Sequence, residues 1–179
     1  MSAGKAGFGP VIAPDARVLV LGSFPGQASL AAGHYYAHPR NLFWSILGNV
    51  FDEPLTALDF DARYAIVRAR GLAIWDVLSA CRREGSLDSA IRDARPNDFT
   101  QLRALAPRLE RVLFNGRHAG RFAAGFAAEG YDVEVLPSTS PAFAAMPAAQ
   151  KLEAWRRALV PWLAAGAGCP VGSVHSRPG

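Results

Sequence analysis

The chain has 179 residues, half of them hydrophobic, with a formal charge of +4 and a pI of about 9.5. That length and composition predict one domain with a real core, and no apolar run nears the roughly 20 residues of a membrane span. The start, MSAGKAGFGP, lacks the apolar stretch of a secretory signal, so a cytoplasmic monomer is the expectation. Two cysteines, Cys81 and Cys169, exclude a disulfide framework and a four-cysteine cluster within the chain. His34, His38, His118 and His175 are scattered, and neither a metal nor a cofactor is expected. Lys5 and Lys151 are the only lysines, so arginine, whose planar fork suits phosphate, carries the positive charge. The modest excess permits a nucleic-acid partner without requiring one.

In chain order, residues 1–14 are rich in Gly, Ala and Pro and read as a loose arm. "RVLV" at 17–20 opens a buried strand over 18–21, whose continuous apolar run fits a parallel sheet covered on both faces. "NLFWSILGNVF" predicts a helix, and "DFDARYAIVRARG" a second, capped by Asp59 and stopped by Gly71. "LAIWDV" is a strand, or a strand running into a helix. "SLDSAIRD" reads as a short helix capped by Ser86, and "NDFTQLRALAPRL" as a helix opened by Asn97 or Asp98. "RVLFNG" is a third strand, "RHAGRFAAGFAAEG" a small-residue helix ending at Gly130, "YDVEVL" a fourth strand, and "AAQKLEAWRRALVPWL" the last helix. Residues 166–179 read as a frayed tail, leaving 15–165 as a single domain. The alternation predicts a three-layer α/β/α fold around a four-stranded parallel sheet.

Ligands of open parallel sheets bind beyond the C-terminal strand ends. Four segments lie there: 22–41, 75–76, 115–116 and 136–147. The first is far longer than the usual strand-to-helix loop of about 2–6 residues, and holds "YYAHPRNLFW". The chain carries no G-x-G-x-x-G, Walker or G-x-S-x-G motif. What remains is carboxamides (Asn41, Asn115), aromatic faces (Phe24, Tyr35, Tyr36, Phe43) and a stiff polar loop, Ser138-Thr139-Ser140, between two prolines. That inventory suits a planar, hydrogen-bonding heterocycle on a phosphodiester, such as a flipped nucleobase.

At these residues the chain resembles the uracil-DNA glycosylase superfamily. Its first motif, G-[ILMS]-x-P-G, appears as Gly22-Ser23-Phe24-Pro25-Gly26. An H-P-x-N-x-F-W signature follows as His38, Pro39, Arg40, Asn41, Leu42, Phe43 and Trp44, and a proline-serine loop as 136–141. The combination is similar to the hypoxanthine (deoxyinosine) DNA glycosylase branch. Many superfamily members place Asn or Asp at the third position of the first motif to hold the attacking water; this chain has Phe24. The resemblance implies catalysis by Asn41 instead, a preference for hypoxanthine over uracil, and DNA containing a deaminated base as the partner.

Within that reading Asn41 orients the water or the sugar–base unit, or caps the following helix. Tyr36 or Phe24 stacks on the base, or packs in the core. Asn115 reads the Watson–Crick edge, or serves an Asn-Gly turn. His38 donates to base or phosphate, or closes its own loop. Arg40, Ser138, Thr139 and Ser140 meet DNA phosphates, with 142–146 as a candidate wedge. Asp76, the only strand-end carboxylate, reads as a salt-bridge partner more than a general base. Two alternatives are a binding module of the same fold without turnover and a hydrolase of small nucleosides or esters.

Overall fold

The computed structural model describes residues 4–163. In chain order its elements are β1 (Lys5–Ala6), β2 (Val18–Gly22), α1 (Gln27–Ala32), α2 (Phe43–Phe51), α3 (Phe60–Ala69), β3 (Leu72–Asp76), β4 (Leu78–Arg82), β5 (Arg92–Pro96), α4 (Leu102–Leu105), β6 (Arg111–Asn115), α5 (Arg117–Gly120), α6 (Ala123–Ala128), β7 (Asp132–Leu136) and α7 (Ala148–Leu159). Four strands form the expected parallel sheet in the order β3-β2-β6-β7. Val18, Leu19, Val20 and Leu21 are completely buried, because β2 has neighbours on both edges and helices over the sheet; this is why the run carries no polar alternation. The chain leaves β2 for β3 on one side and later returns to its other side as β6. Such a reversal of strand order opens a crevice at the C-terminal edge, and here it lies beside Gly22.

Local chemistry explains the helices. The Asp59 side chain accepts from the Ala62 amide at 2.8 Å, Asp61 occupies the first turn of α3 and Arg68 the last. Gly71 follows at φ +75°, a left-handed turn that glycine adopts without penalty. In α7, Trp155 is fully buried and its indole N–H donates to the Pro137 carbonyl at 3.0 Å. Among the described residues no helix is long and apolar enough to cross a membrane.

Several segments differ from the sequence expectations. The supposed arm 1–14 is seated on the domain from residue 5. β1 pairs antiparallel with β4, and Val11 and Ile74 exchange two backbone hydrogen bonds of 2.8 Å. Backbone pairing and burial of Val11 compensate for the Gly/Pro composition. "LAIWDV" does not run into a helix: β3 passes through Val77 into β4, the centre of a second sheet ordered β1-β4-β5. "SLDSAIRD" is not a helix either. Only a 3-10 turn, Asp88–Ala90, survives, and Arg92 already belongs to β5. Tertiary contacts of Asp88 and burial of Ile91 override the local pattern.

The segment opened by Asn97 or Asp98 keeps only α4 as α-helix, with Asp98 accepting from the Thr100 amide at 3.0 Å. The small-residue helix is two pieces, α5 and α6. A Cβ on Gly120 would sit 2.8 Å from the Val135 methyls, so the glycine serves close packing of helix on strand. The long first excursion contains α1. The tail 166–179 lies outside the described residues.

Candidate active site

All four predicted strand-end segments line one cavity of about 700 Å³ at the C-terminal edge of the parallel sheet. That lies within the roughly 300–1,000 Å³ of ligand pockets.

One wall is the stretch 35–44. Tyr36 has φ +54°, a left-handed conformation that bulky residues rarely adopt. The turn sends the neighbouring tyrosines apart. Tyr35 is buried, its hydroxyl donating to the Gly9 carbonyl at 2.8 Å. Tyr36 stacks on Phe43 at 3.9 Å between centroids and 25° between planes, so Phe43 takes one of its faces. Phe43 in turn meets Trp44 and Trp155 edge-on. Phe24 is also in the lining; it is 6% exposed, with the Arg83 guanidinium 5.4 Å from its ring centroid.

His38 and Asn41 are ordered by their own backbone. The His38 Nδ1 accepts from the Arg40 amide at 3.0 Å, which leaves the proton of the neutral ring on Nε2. The Asn41 Oδ1 accepts from the Phe43 amide at 3.0 Å. That bond closes a turn just ahead of α2, whose cap position is Leu42 with no side-chain cap, and fixes which way the carboxamide faces. The Asn41 Nδ2 has no hydrogen-bond partner among the described residues. The Leu42 amide donates to the Thr139 carbonyl at 3.0 Å, tying this wall to the proline-serine loop opposite. Arg40 is exposed and outside the cavity lining.

In the proline-serine loop, Ser138 Oγ accepts from the Ser140 amide and Ser140 Oγ from the Ala142 amide, each at 3.2 Å. These successive turns display half-buried hydroxyls at the cavity rim. Thr139 does not face DNA as expected. It is completely buried, and its hydroxyl and backbone amide close a reciprocal pair with the Asn115 carboxamide, at 2.9 and 3.0 Å. Asn115 therefore reaches the cavity with its carboxamide already engaged, in place of the free reader of a base edge. Lys151, buried at the base of the loop, donates to the Phe143 carbonyl.

The third wall escaped sequence reasoning. It is the turn 86–89 between β4 and β5. The Ser23 hydroxyl donates to Asp88 Oδ1 at 2.7 Å, and Arg83 lies 3.7 Å from the same oxygen while donating to the Pro25 carbonyl. The Gln27 amide donates to Ser86 Oγ at 3.0 Å. The second sheet is thus clamped to the first glycine motif. Arg117 and His118 also line the cavity, beside Ser138. Their signal was their place directly after a strand-ending Asn-Gly.

The floor is Gly22, Tyr36 and Asp76. A Cβ on Gly22 would lie 2.5 Å from Asp76 Oδ1 and 2.9 Å from the Tyr36 hydroxyl, so only glycine fits. Asp76 makes no salt bridge among the described residues, unlike its expected role. Among the described residues its Oδ2 and the Tyr36 hydroxyl are buried without a hydrogen-bond partner in good geometry, the hydroxyl lying near the Asn115 carboxamide. Burial pushes the Asp76 carboxyl up to about 7, with Asp88 adding to the rise and Arg83 opposing it. Burial likewise raises the Tyr36 phenol, so it stays neutral.

The site combines fixed amide dipoles, aromatic faces, rim hydroxyls beside a single guanidinium, Arg117, and unpaired polar atoms at its floor. The chain matches the model of the uracil DNA glycosylase superfamily over residues 10–164. It is 39% identical to a hypoxanthine DNA glycosylase of Methanosarcina barkeri and 37% identical to one of Methanosarcina acetivorans. Each match runs over 138 residues, 77% of this chain and 87% of the relative. The solution NMR structure of a candidate uracil DNA glycosylase from Methanosarcina acetivorans aligns with a TM-score of 0.81 at 32% identity, covering 89% of this chain and 99% of that one. Sequence and fold agree over most of the length: the chain belongs to the uracil DNA glycosylase superfamily.

Proposed function

We propose that the protein is a monofunctional DNA glycosylase that hydrolyses the N-glycosidic bond of a deaminated base, hypoxanthine foremost, and leaves an abasic site. The observation that carries this reading is Asn41: a carboxamide pinned by the Phe43 amide, its Nδ2 without a partner among the described residues, on the wall of a cavity large enough for a nucleoside. The relatives named hypoxanthine DNA glycosylase support the choice of base.

In the reaction the C1′–N bond breaks with its electron pair going to the base. Water adds its oxygen to C1′ and supplies the proton that the departing base takes up. Nothing else is consumed. Asn41 cannot titrate, so it acts as a preorganised dipole that holds the water or the sugar–base unit in line. Such placement and charge stabilisation contribute several kcal/mol, roughly 2.7–4 per well-aimed donor. Phe24 and the open side of Tyr36 bound the ring, and His38 Nε2–H donates into the slot. Arg40, Ser138 and Ser140 hold phosphates, while buried Thr139 keeps Asn115 in place. No lysine lines the cavity, which argues for hydrolysis over a Schiff base.

The test is a panel of end-labelled oligonucleotides, each with one hypoxanthine, uracil, xanthine or mismatched thymine, incubated in EDTA. The expected result is an intact strand that breaks only after alkali, fastest for hypoxanthine. Spontaneous nicking, no product from any duplex, or efficient hydrolysis of free inosine would contradict the proposal.

A further inference from the structure

Asp76 stands outside the reaction described so far. It ends β3 at the cavity floor, and a buried carboxyl with nothing to bind is costly, since unpaired polar atoms away from water lose roughly 1–3 kcal/mol each. Asp76 Oδ2 and the Tyr36 hydroxyl are two such atoms among the described residues, and Asp76 Oδ1 and the same hydroxyl close on Gly22 so tightly that no side chain fits there. Hydrogen-bonding capacity at the floor of the cavity is thus left for something the protein itself does not supply.

Resting on the glycosylase reading, we infer that Asp76 is a base-contacting catalytic residue that works as a neutral carboxylic acid, donating its proton in a hydrogen bond to the lactam oxygen of the leaving base. The lactam edge of hypoxanthine, shared by uracil and xanthine, offers one N–H and one C=O side by side. A carboxylic acid offers the complementary C=O and O–H. A carboxylate would repel both the lactam oxygen and the charge that builds on the base as the glycosidic bond breaks. The acid's bond strengthens as that charge develops, so it favours the transition state over the bound substrate. Adenine has no such oxygen, so the contact separates hypoxanthine from the adenine it derives from.

The surroundings favour the neutral form. The carboxyl is fully buried and titrates near 7, the level that burial and the Asp88 carboxylate set against Arg83. The other titratable groups facing it are the Tyr35 and Tyr36 phenols, both raised by burial. Carboxyls in apolar sites can stay protonated at neutral pH and act as donors.

The experiment is single-turnover excision of hypoxanthine by wild type, Asp76→Asn and Asp76→Ala between about pH 5.5 and 9. Wild type should hold its rate in acid and lose it as pH rises through about 7. Asp76→Asn, which keeps a donor that cannot titrate, should stay within about tenfold of wild type and lose the fall above pH 7. Asp76→Ala should be slower by roughly 10²–10³-fold in acid, the usual effect of deleting an oxyanion donor. All three should bind an oligonucleotide with a tetrahydrofuran abasic analogue equally, which a merely structural role would not allow.

A wild-type rate that rises with pH, with both variants equally slow, would overturn the inference in favour of an ionised carboxylate. So would an Asp76→Ala variant as fast as wild type, or an Asp76→Asn variant with an unchanged pH profile. The last comparison stands even if Asp76→Ala fails to fold. A wild type inert on every modified base at every pH takes the glycosylase reading down as well, and is told apart by that.

Discussion

Two strand ends of the parallel sheet reach the same cavity and are treated in opposite ways. At the end of β6, Asn115 gives its amide and its carbonyl to Thr139, and the pair is closed within the protein. At the end of β3, Asp76 is buried at least as deeply, yet its Oδ2 meets no hydrogen-bond partner among the described residues. A buried polar group satisfied internally is scaffold, because removing it leaves its partner stranded. One left unsatisfied has been spared for a ligand, and the protein bears the desolvation until the ligand arrives. The contrast sets Asn115 and Thr139 apart as a closed pair that holds the proline-serine loop, and leaves Asp76 to the role proposed for it.

The contrast is sharpest in stability. Native Asp76 keeps its proton up to about pH 7, whereas an unfolded aspartate releases it near 3.9. The native state therefore loses stability as pH climbs between those values, and above the upper one the loss is complete. Asp76→Asn should match wild type near pH 4 and exceed it near pH 8 by as much as about 4 kcal/mol, read from urea midpoints. A variant less stable than wild type at both values would place Asp76 among the scaffold residues.

Asn115→Ala should behave the other way, losing roughly 2–4 kcal/mol at every pH because the Thr139 amide and hydroxyl lose their partner in the interior. Unchanged urea stability with lost excision would instead make Asn115 a base reader. Gly22→Ala puts a methyl where Asp76 and Tyr36 already lie. The overpacking should cost about 1–3 kcal/mol and slow excision by displacing the floor; a variant with wild-type turnover would show that the floor is not used. Arg40→Ala touches neither strand end. It should weaken DNA binding and shrink the dependence of log affinity on log salt by about one unit, and an unaltered slope would remove Arg40 from the interface.

What was legible in the sequence follows from how local its cause is. The strand 18–21 declared itself because a central strand buried on both faces needs an unbroken apolar run. Asp59 and Gly71 marked α3 because a cap and a left-handed stop act within one turn. Asn41 and His38 were legible as candidates because their hydrogen bonds close within two residues. The second sheet was not. Register shifts between Leu78 and Ala80 and between Ala80 and Arg82 break the alternation that identifies strands, and β5 is exposed along its whole length. Thr139 was misread because a Pro-Ser-Thr-Ser-Pro run has no periodicity to say which hydroxyl turns inward. The isolation of Asp76 is a property of everything that fails to reach it, and no spacing along the chain encodes that.

A fixed carboxamide, Asn41, is the group proposed to drive hydrolysis in this slot. Single-turnover excision of hypoxanthine by Asn41→Ala, alongside binding to a tetrahydrofuran abasic analogue, tests it most directly. The expected rate is lower by about 10²–10³-fold, with affinity held within a few-fold and a stability loss of only about 1 kcal/mol from the missing bond to the Phe43 amide. Excision by Asn41→Ala at the wild-type rate would contradict it.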